Sequence, residues 1–401
     1  MNPARRHIVH TLCLAMTLAC AGATGFRAQA ADARFDSFLQ SLWPKAQQQG
    51  VGRAAFDAAI AGLTPDPALA GSGERQAEFE RTLKAYLDDA ASGSRIARGR
   101  EARQKYRADL AAAERAYGVP AEIILAIWGM ETEFGRNAGD KDAIRSLATL
   151  AFSRADGGRF ADEVIAAMVM IERGIPRARL RGSWAGAMGN PQFLPSAYLK
   201  YAVSPGGART PDIWTSVPDS LASIGNFIRT EGWKPGLAWG AEVVIPQNFD
   251  WRSLKGSAAQ LAAKGVRSVD GRQLPPAAEA TLFFPAGASG PAFLLTENYW
   301  IIKQYNNSDS YAMSVAYLGD RIAGRPAIKA AWPTDFRLLG REDRVRLQTL
   351  LRDQGFYSDR IDGRFGPASR DAIHRFQVNA GIFPADGFAS AALLARLASG
   401  K

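Results

Sequence analysis

The stretch from Pro120 to Gly139, PAEIILAIWGMETEFGRNAG, is apolar at helical spacing and carries a glutamate within the apolar stripe. Pro120 suits the first turn of a helix, where its missing N–H would be unpaired anyway. At roughly 100° per residue, Glu131 projects close to Ile127, with Trp128 one turn back. The pattern predicts one helix over the whole stretch, with Glu131 on the face that is buried. The apolar stripe consists of Ile123, Ile127, Met130 and Phe134.

A carboxyl group on the buried face of its own helix costs free energy unless it is paired or kept protonated. A carboxyl in an apolar pocket is also how an enzyme obtains a general acid near neutral pH. Glu122 and Glu133 project to the opposite, polar face and need no such explanation. From this helix alone, Glu131 is either a general acid or a structural group that caps a neighbouring element, and both interpretations stay open.

The N-terminus has the three parts of a secretion signal. Arg5 and Arg6 form a basic start, the segment from Ile8 to Ala23 is apolar, and the segment from Ala28 to Ala30 is a small-x-small cleavage site. The apolar run is too short for a good membrane span, and no later segment is long and apolar enough for one. Residues 1–30 are therefore predicted to be a cleavable signal peptide of a periplasmic protein.

Loss of the signal peptide would also remove both cysteines and two of the three histidines. The remaining histidine, His374, cannot form a zinc site of His and Cys ligands by itself, and a Ser-His-Asp enzyme would have to use it. Cys20 raises the alternative of an outer-membrane lipoprotein, although Thr17 stands where a leucine is expected. The net charge falls from +10 to +7 because three arginines and no acids leave, which suits an anionic partner such as the cell wall or a membrane surface.

The periodicity is helical over most of the chain, with one interruption. From Ala241 to Leu295 two short strands, EVVIP and ATLFFP, surround a small helix from Ala258 to Lys264. The segment from Pro326 to Asp335 is predicted to be an extended linker, because its two prolines disfavour helix. Phe336 to Lys401 is predicted to be a separate module in which helices flank Asp-Gly turns.

Four sequence motifs carry a resemblance to a known family. They are WGMETEFG, SLATLAF, SWAGAMGNPQFLPS and YNNSDSYA, in this order along the chain. Together they resemble the lytic murein transglycosylase B family, which cleaves peptidoglycan glycan strands, from about Phe35 to Ala323. The segment IDGRFGPASRDAIHRFQ resembles the small three-helix peptidoglycan-binding domain. The resemblance implies a mainly α fold: a lysozyme-like helical catalytic domain with a small β-containing subdomain, and a three-helix C-terminal module.

The resemblance also implies domain boundaries and residue roles. The signal peptide would span residues 1–30, the catalytic domain 31–325 with its β-containing part at about 241–295, the linker 326–335 and the peptidoglycan-binding domain 336–401. Glu131 matches the catalytic glutamate, whereas Glu133 matches no functional position. Ser183 matches a hydroxyl that hydrogen-bonds the catalytic carboxyl. Residues matching the lining of the sugar cleft are Gln192, Tyr305, Asn306 and Tyr311.

No metal and no cofactor are expected. Some family members carry a calcium loop of alternating acids, whereas Ser204 to Thr210 has no clustered carboxylates here. The expected partner is the peptidoglycan glycan strand, and the chain is expected to be a monomer with no nucleic-acid partner and no transmembrane segment.

Ordinary glycosidases pair two carboxylates across the scissile bond, but no second acid lies in an apolar stripe here. Asp162, Glu163, Glu172 and Glu231 are predicted to be exposed. In the lytic transglycosylase reaction the substrate supplies the nucleophile, so that Glu131 alone suffices as acid and then as base. The alternatives are a lysozyme-type muramidase, in which Glu131 acts with water, and a non-catalytic cell-wall-binding protein.

Overall fold

The computed structural model describes residues 33–70, 81–154, 157–207, 209–334 and 338–399. The predicted signal peptide, with both cysteines, lies outside these residues. The described chain forms two compact units: the first comprises 33–70, 138–154 and 157–200, and the second comprises 81–137, 201–207, 209–334 and 338–399. No helix in the described ranges has the length and apolar character needed to cross a membrane.

The helices follow one another in short segments, as the helical periodicity of the sequence predicts. In chain order they are α1 (33–41), α2 (Trp43–Gln48), α3 (Arg53–Ile60), α4 (Pro67–Ala70), α5 (Leu83–Ala90), α6 (Gly93–Lys105), α7 (Arg107–Tyr117), α8 (Ala121–Thr132), α9 (Ala143–Ser153), α10 (Gly158–Glu172), α11 (Pro195–Tyr201), α12 (Val217–Thr230), α13 (Ala258–Ala263), α14 (Glu297–Tyr305), α15 (Asp309–Ile322), α16 (Arg341–Asp353), α17 (Pro367–Asn379) and α18 (Ala391–Ala398). The strands are β1 (Lys141–Asp142), β2 (Arg181–Gly182), β3 (Gly240–Val244), β4 (Lys255–Ser257), β5 (Arg267–Ser268), β6 (Glu279–Phe283) and β7 (Ala292–Thr296).

The first unit is built on α9 and α10, which pack against each other, with α3 on the far side of α10. Its core includes Phe35, Phe56, Leu147 and Val164, all inaccessible to solvent. Strands β1 and β2 pair antiparallel, which brings the chain near residue 141 next to the start of the loop that follows Gly182.

Helix α8 is the centre of the second unit, where it packs against α6, α7, α12 and α15. Ile123 and Ile127 of the predicted apolar stripe are buried, but so are residues 124–126 and Trp128, so α8 is covered on more sides than the one face that the stripe predicts. Helix α15 approaches α8 closely at Gly319, where an added Cβ would lie 3.2 Å from the backbone oxygen of Glu122. This close approach positions the side chains of α15 beside those of α8.

Helix α8 is shorter than the sequence predicts, since it ends at Thr132 and does not continue to Gly139. Glu133 and Phe134 have φ angles of 52° and 60°, in the left-handed region that non-glycine residues seldom adopt. The reversal brings the Phe134 ring back onto the helix at Gly129, where an added Cβ would lie 2.6 Å from the ring. Phe134 therefore keeps its place among apolar side chains although the helix has already ended.

The predicted β-containing part is confirmed as a five-stranded antiparallel sheet of order β4-β6-β7-β3-β5, from Gly240 to Thr296. One face of the sheet is covered by α13, where Leu261 packs with Val243, Leu282 and Leu294. The sheet follows α12 in the chain and leads directly into α14, so it lies between the central helices and the C-terminal segment in sequence.

The C-terminal segment contains the three helices α16, α17 and α18, as predicted. Their shared core includes Leu347, Leu351, Ile373 and Phe376. Within it Gln348 is fully buried and makes five hydrogen bonds, two of them accepted from the backbone N–H groups of residues 362 and 363 in the Asp-Gly turn. The turn is thus held by one side chain of α16.

The three-helix segment also makes polar contacts with the sheet region. Lys255 lies 3.0 Å from Asp371, and the Asp386 carboxylate accepts a hydrogen bond of 2.8 Å from the backbone of residue 288. His374 of α17 is half-buried, and its Nε2 lies 2.8 Å from the backbone oxygen of Trp251.

The described part of the predicted linker, residues 326–334, contains neither helix nor strand. Part of the segment is held by hydrogen bonds, because the Glu242 carboxylate on β3 accepts from the backbone N–H groups of Lys329 and Ala330 at 2.8–3.0 Å. The segment is therefore attached to β3 before it reaches the three-helix segment.

Candidate functional site

Glu131 lies in the last turn of α8, and its half-buried carboxylate accepts a hydrogen bond of 2.5 Å from the Tyr311 hydroxyl of α15. Burial raises the pKa of Glu131 and the hydrogen bond from Tyr311 lowers it; burial dominates, and the pKa is about 7. A carboxyl with this pKa exists in both the acid and the carboxylate form near neutral pH. It can therefore give up a proton and take one back.

Two stacked tyrosines face this carboxyl group. The rings of Tyr305 and Tyr311 are nearly parallel, at 12°, with centroids 6.3 Å apart. Burial, followed by the negative charge of Glu131, raises the pKa of both hydroxyls well above the usual range. Tyr311 thus keeps its proton at neutral pH and remains a hydrogen-bond donor to Glu131.

The aromatic row continues behind Tyr305. Phe227 of α12 lies 4.6 Å from the Tyr305 ring and 4.5 Å from that of Tyr201, between centroids. The Tyr201 hydroxyl donates a hydrogen bond to Glu231, which is half-buried and not exposed as the sequence predicted. A wall of three aromatic rings therefore stands beside Tyr311.

A short turn joins α14 to α15 and presents Asn306 to solvent. Ser308 caps α15, with its hydroxyl accepting from the backbone N–H of Tyr311 at 3.3 Å. Asp309 follows in the first helical turn and lies 2.8 Å from Lys303 of α14. The ion pair joins the end of α14 to the start of α15 and so fixes the positions of Tyr305 and Tyr311.

The surroundings of Glu133 differ from the polar helix face on which helical projection places it. Its carboxylate forms ion pairs with Arg95 and Arg98 of α6, the second at 2.7 Å, and is largely buried. Burial alone would raise the pKa of Glu133, but hydrogen bonds and charge from the two arginines outweigh it and hold the pKa below its usual value. The difference from the prediction arises because the helix has ended and the chain has turned, so that helical projection no longer applies to residue 133.

Ser183 and Gln192 lie together in the loop after β2, in the first unit. The Ser183 hydroxyl accepts a hydrogen bond of 3.1 Å from the backbone N–H of Ala187. Gln192 has a φ of 50° and donates through its amide to the backbone oxygens of Ala138 and Gly189, both at 2.9 Å. Gly182 is required at the base of this loop, because an added Cβ would lie 1.9 Å from a backbone oxygen.

The six site residues predicted from the sequence therefore fall into two sets. Glu131, Tyr305, Asn306 and Tyr311 come together in the second unit, whereas Ser183 and Gln192 come together in the first. Within the loop that carries the second set, Trp184 is half exposed and Phe193 is buried.

Two other buried acids, Asp320 and Asp219, are paired with arginine. Asp320 also has a raised pKa, through burial, but Arg272 lies 2.7 Å from it. Asp219 is fully buried and lies 2.6 Å from Arg209. Among the residues that the structure describes, no group of three His, Cys, Asp or Glu side chains is placed to bind a metal. Glu131 is distinguished from these acids by a raised pKa with a hydroxyl donor as its partner.

Sequence reasoning missed one contact at the site. The resemblance placed Tyr311 among residues that line the sugar cleft, whereas its ring is buried and its hydroxyl binds Glu131. The residues are 180 positions apart, so helical periodicity around Glu131 contains no trace of the pairing. A hint exists in the spacing of Tyr305 and Tyr311 around a polar turn, which places one aromatic ring at the end of α14 and the other in the first turn of α15.

Comparison with known proteins defines the class. Residues 34–320 match the transglycosylase SLT domain model, and residues 340–397 match the model of a peptidoglycan binding domain. Because the first match covers more than half of the sequence, the chain belongs to the transglycosylase SLT domain family, the lytic transglycosylases that cleave peptidoglycan.

Individual relatives are similar over different lengths. The structure of SltB3 from Pseudomonas aeruginosa in complex with NAG-anhNAM-pentapeptide is 37% identical, covers 91% of this chain and 99% of its own, and has a TM-score of 0.82. The Escherichia coli lytic transglycosylase Slt35 in complex with calcium is 27% identical, over 71% of this chain and 92% of its own, with a TM-score of 0.60. Membrane-bound lytic murein transglycosylase B of Escherichia coli (strain K12) is 35% identical over 228 residues, or 55% of this chain, and the match spans only 61% of that relative.

Proposed function

We propose that this chain is a lytic transglycosylase that cleaves the β-1,4 bond between N-acetylmuramic acid and N-acetylglucosamine and leaves a 1,6-anhydromuramic acid end. The observation that carries the proposal is the half-buried Glu131, with its pKa of about 7 and its hydrogen bond from Tyr311. The acid form of such a group is abundant at neutral pH, and its conjugate base is strong enough to remove a proton during the reaction.

The reaction needs one carboxyl group and no water. Protonated Glu131 gives its proton to the glycosidic oxygen, the bond between that oxygen and C1 of the muramic sugar breaks, and N-acetylglucosamine leaves. The Glu131 carboxylate then takes the proton of the C6 hydroxyl as that oxygen bonds to C1. Glu131 ends protonated, as it began, so the enzyme is ready for the next cycle.

Tyr311 has two roles in this scheme. Its hydroxyl fixes the rotamer of Glu131, and it stabilises the carboxylate that exists between the two proton transfers. Tyr305 and the exposed Asn306 offer a ring face and an amide to the sugar. Ser183 and Gln192 are proposed, from the family resemblance, as supporting and substrate-binding residues.

A lysozyme-type hydrolase would use the same Glu131 with water as the nucleophile, so the products decide between the two reactions. The complex of SltB3 with an anhydro-muramyl fragment supports the transglycosylase alternative, because that relative binds the kind of product that we propose here. A non-catalytic wall-binding protein would not need the raised pKa of Glu131.

Mass spectrometry of products released from purified peptidoglycan tests the proposal. We expect muramic ends lighter by one water than those of a lysozyme digest. Glu131→Gln should reduce the rate by roughly 10⁴-fold or more, at the upper end of general acid–base contributions, because one residue supplies both proton transfers. Glu122→Gln, the same change in the first turn of α8, is the control and should keep the wild-type rate. Reducing ends would assign the chain to the hydrolases, and an active Glu131→Gln would exclude the mechanism.

The domain organisation belongs to the same proposal. Residues 1–30 would direct export to the periplasm and be removed, residues 31–325 would form the catalytic domain, and residues 336–401 would bind peptidoglycan after the linker 326–335. N-terminal sequencing of protein recovered from the periplasm should begin at about residue 31. A mature chain that begins at a lipidated Cys20 would establish the lipoprotein alternative instead.

A further inference from the structure

A single ion pair links the three-helix segment to the helix that carries Tyr311. Arg370 of α17 extends its Nη1 to within 2.6 Å of the Asp309 Oδ2 atom in the first turn of α15. The two side chains are 21% and 16% exposed, so solvent screens the pair only in part. Asp309 and Tyr311 are two residues apart in the same turn.

Asp309 is the point where three elements meet. Lys303 of α14 binds its other carboxylate oxygen at 2.8 Å, and the Tyr299 hydroxyl lies 3.3 Å from the same oxygen. Burial by itself would raise the pKa of Asp309, but the charges of Arg370 and then Lys303 lower it to about 2. Asp309 is therefore ionised at neutral pH and needs both cations to offset its burial.

Arg370 is itself held in place. Its guanidinium group lies over the Phe283 ring of β6, 4.8 Å from the centroid. This stacking leaves the planar group a narrow range of orientations, and a lysine could reproduce the charge but not the stacked fork. Arg370 lies inside the range 340–397 that matches the peptidoglycan binding domain, whereas Asp309 lies inside the range 34–320 that matches the transglycosylase domain.

We propose that Arg370 is a positioning residue for the reaction: by pairing with Asp309 it fixes the start of α15 and so holds the Tyr311 hydroxyl on Glu131. The inference rests on the role proposed for Glu131. It gives the three-helix segment a second task besides binding the wall, because the segment completes the support of the reacting carboxyl.

Removal of Arg370 leaves the largely buried Asp309 carboxylate with Lys303 as its ion-pair partner among the described residues. The free energy of the Asp309 carboxylate is then lower when it turns toward water, and the first turn of α15 moves with it. A displacement of about 1 Å at a reacting group can cost roughly a hundredfold in rate. The effect should appear in the chemical step and not in the binding of the glycan, because the contact that is disturbed is the one between Tyr311 and the reacting carboxyl of Glu131.

The test measures kcat and KM of the full-length chain on short soluble glycan fragments, which need no attachment to insoluble wall. We expect Arg370→Met to lower kcat between about tenfold and about a hundredfold with little change in KM. Arg370→Lys should recover part of the loss. The matched control is Arg375→Met, on the same helix, where an exposed arginine pairs with Asp371; its kcat should stay within about twofold of wild type.

The pH profile separates positioning from a general loss of stability. Tyr311 and Tyr305 are titratable groups beside Glu131, whose charge raises the pKa of both hydroxyls, and the hydrogen bond from Tyr311 lowers the pKa of Glu131. Loss of that bond should move the alkaline limb of kcat to higher pH in Arg370→Met, as in Tyr311→Phe. In the Tyr311→Phe background, Arg370→Met should cause little further loss, because both changes remove the same contact.

The inference is overturned if Arg370→Met matches Arg375→Met in kcat and pH profile, or if its effect multiplies in full with that of Tyr311→Phe. Should Arg370→Met fail to fold, Arg370→Lys and Asp309→Asn provide the same comparison, with the pH shift expected in Asp309→Asn. Failure of the proposed function is distinguishable, because it appears as an active Glu131→Gln whatever the result at Arg370.

Discussion

At the scale of the residue, Glu131 and Glu133 differ by two positions and have opposite electrostatics. The first is buried against a neutral hydroxyl and has a raised pKa, whereas the second is paired with two arginines and has a lowered pKa. One carboxyl therefore stores a proton near neutral pH and the other stabilises the fold as an anion. Each of the two pKa shifts makes the free energy of unfolding depend on pH.

Glu131 should make the free energy of unfolding depend on pH above its ordinary pKa. Since its pKa rises from 4.5 to about 7 on folding, the stabilisation by the bound proton is complete below pH 4.5 and is lost as the pH approaches about 7. The loss is on the order of 3 kcal/mol. Denaturant unfolding of wild type and Glu131→Gln across this range should show the loss in wild type alone, with Glu122→Gln behaving as wild type. Parallel curves for wild type and Glu131→Gln would contradict the raised pKa.

Glu133→Gln should destabilise the protein, contrary to the expectation from helical projection. The change removes the charge that pairs with Arg95 and Arg98 and should cost roughly 2 kcal/mol at neutral pH. Because the folded pKa is lowered, this stabilisation is present above the ordinary pKa of 4.5 and is lost as the pH falls through the lowered value. The control is Asp88→Asn, which removes an exposed pair with Lys84 and should cost less than about 0.5 kcal/mol by urea unfolding.

At the scale of the element, the start of α15 and the end of α8 decide the geometry of the site. The first is fixed by the Ser308 cap and by the ion pairs of Asp309, and the second by the left-handed residues at 133 and 134. Polar side chains at element ends thus hold the reacting groups in place.

The Asp-Gly turn of the three-helix segment depends in the same way on one buried side chain, Gln348. Gln348→Leu removes five hydrogen bonds and leaves the backbone N–H groups of residues 362 and 363 without their acceptor. We expect a loss of about 3 kcal/mol, read from hydrogen exchange of the amides in α16 to α18, since a chain of several parts need not unfold in one step. Gln354→Leu, at the exposed end of the same helix, should leave this exchange unchanged. Equal exchange in both variants would show that the turn is held by its own geometry.

At the scale of the whole molecule, the three-helix segment is bound to the rest of the second unit by several polar contacts. Sequence reasoning gave it one task, to raise the local enzyme concentration on insoluble wall. The structure adds the pair between Arg370 and Asp309, the pair between Lys255 and Asp371, and the contact of His374 with the backbone oxygen of Trp251. The three-helix segment would then both attach the enzyme to the wall and support the site.

Deletion of residues 336–401 should therefore have two effects. Sedimentation with whole peptidoglycan should weaken, and turnover of short soluble fragments should fall by about tenfold because Arg370 is lost with the segment. The second effect differs from what the sequence alone predicts, which is unchanged turnover of soluble substrate. Circular dichroism should first establish that the truncated chain retains its helices. Unchanged soluble turnover in the folded truncation would limit the segment to attachment.

Features that depend on neighbours along the chain can be predicted from the sequence. The helical conformation of α8, the strands between α12 and α14 and the three helices of the C-terminal segment follow from periodicity and turn chemistry within short windows. The placement of Glu131 in the apolar stripe of its helix follows in the same way. The four motifs indicated the family, because four short patterns in order are more specific than any one of them.

The contacts between side chains far apart in the sequence depend on how the elements pack. Tyr311 binds Glu131 across 180 positions, Arg370 binds Asp309 across 61, and Glu133 finds Arg95 across 38 because the helix has already ended. Periodicity reports which face of an element is buried, but it contains no information on the element that covers that face. The pKa of a buried carboxyl depends on that covering element, which is why the acid could be located in the sequence and its proton affinity only in the fold.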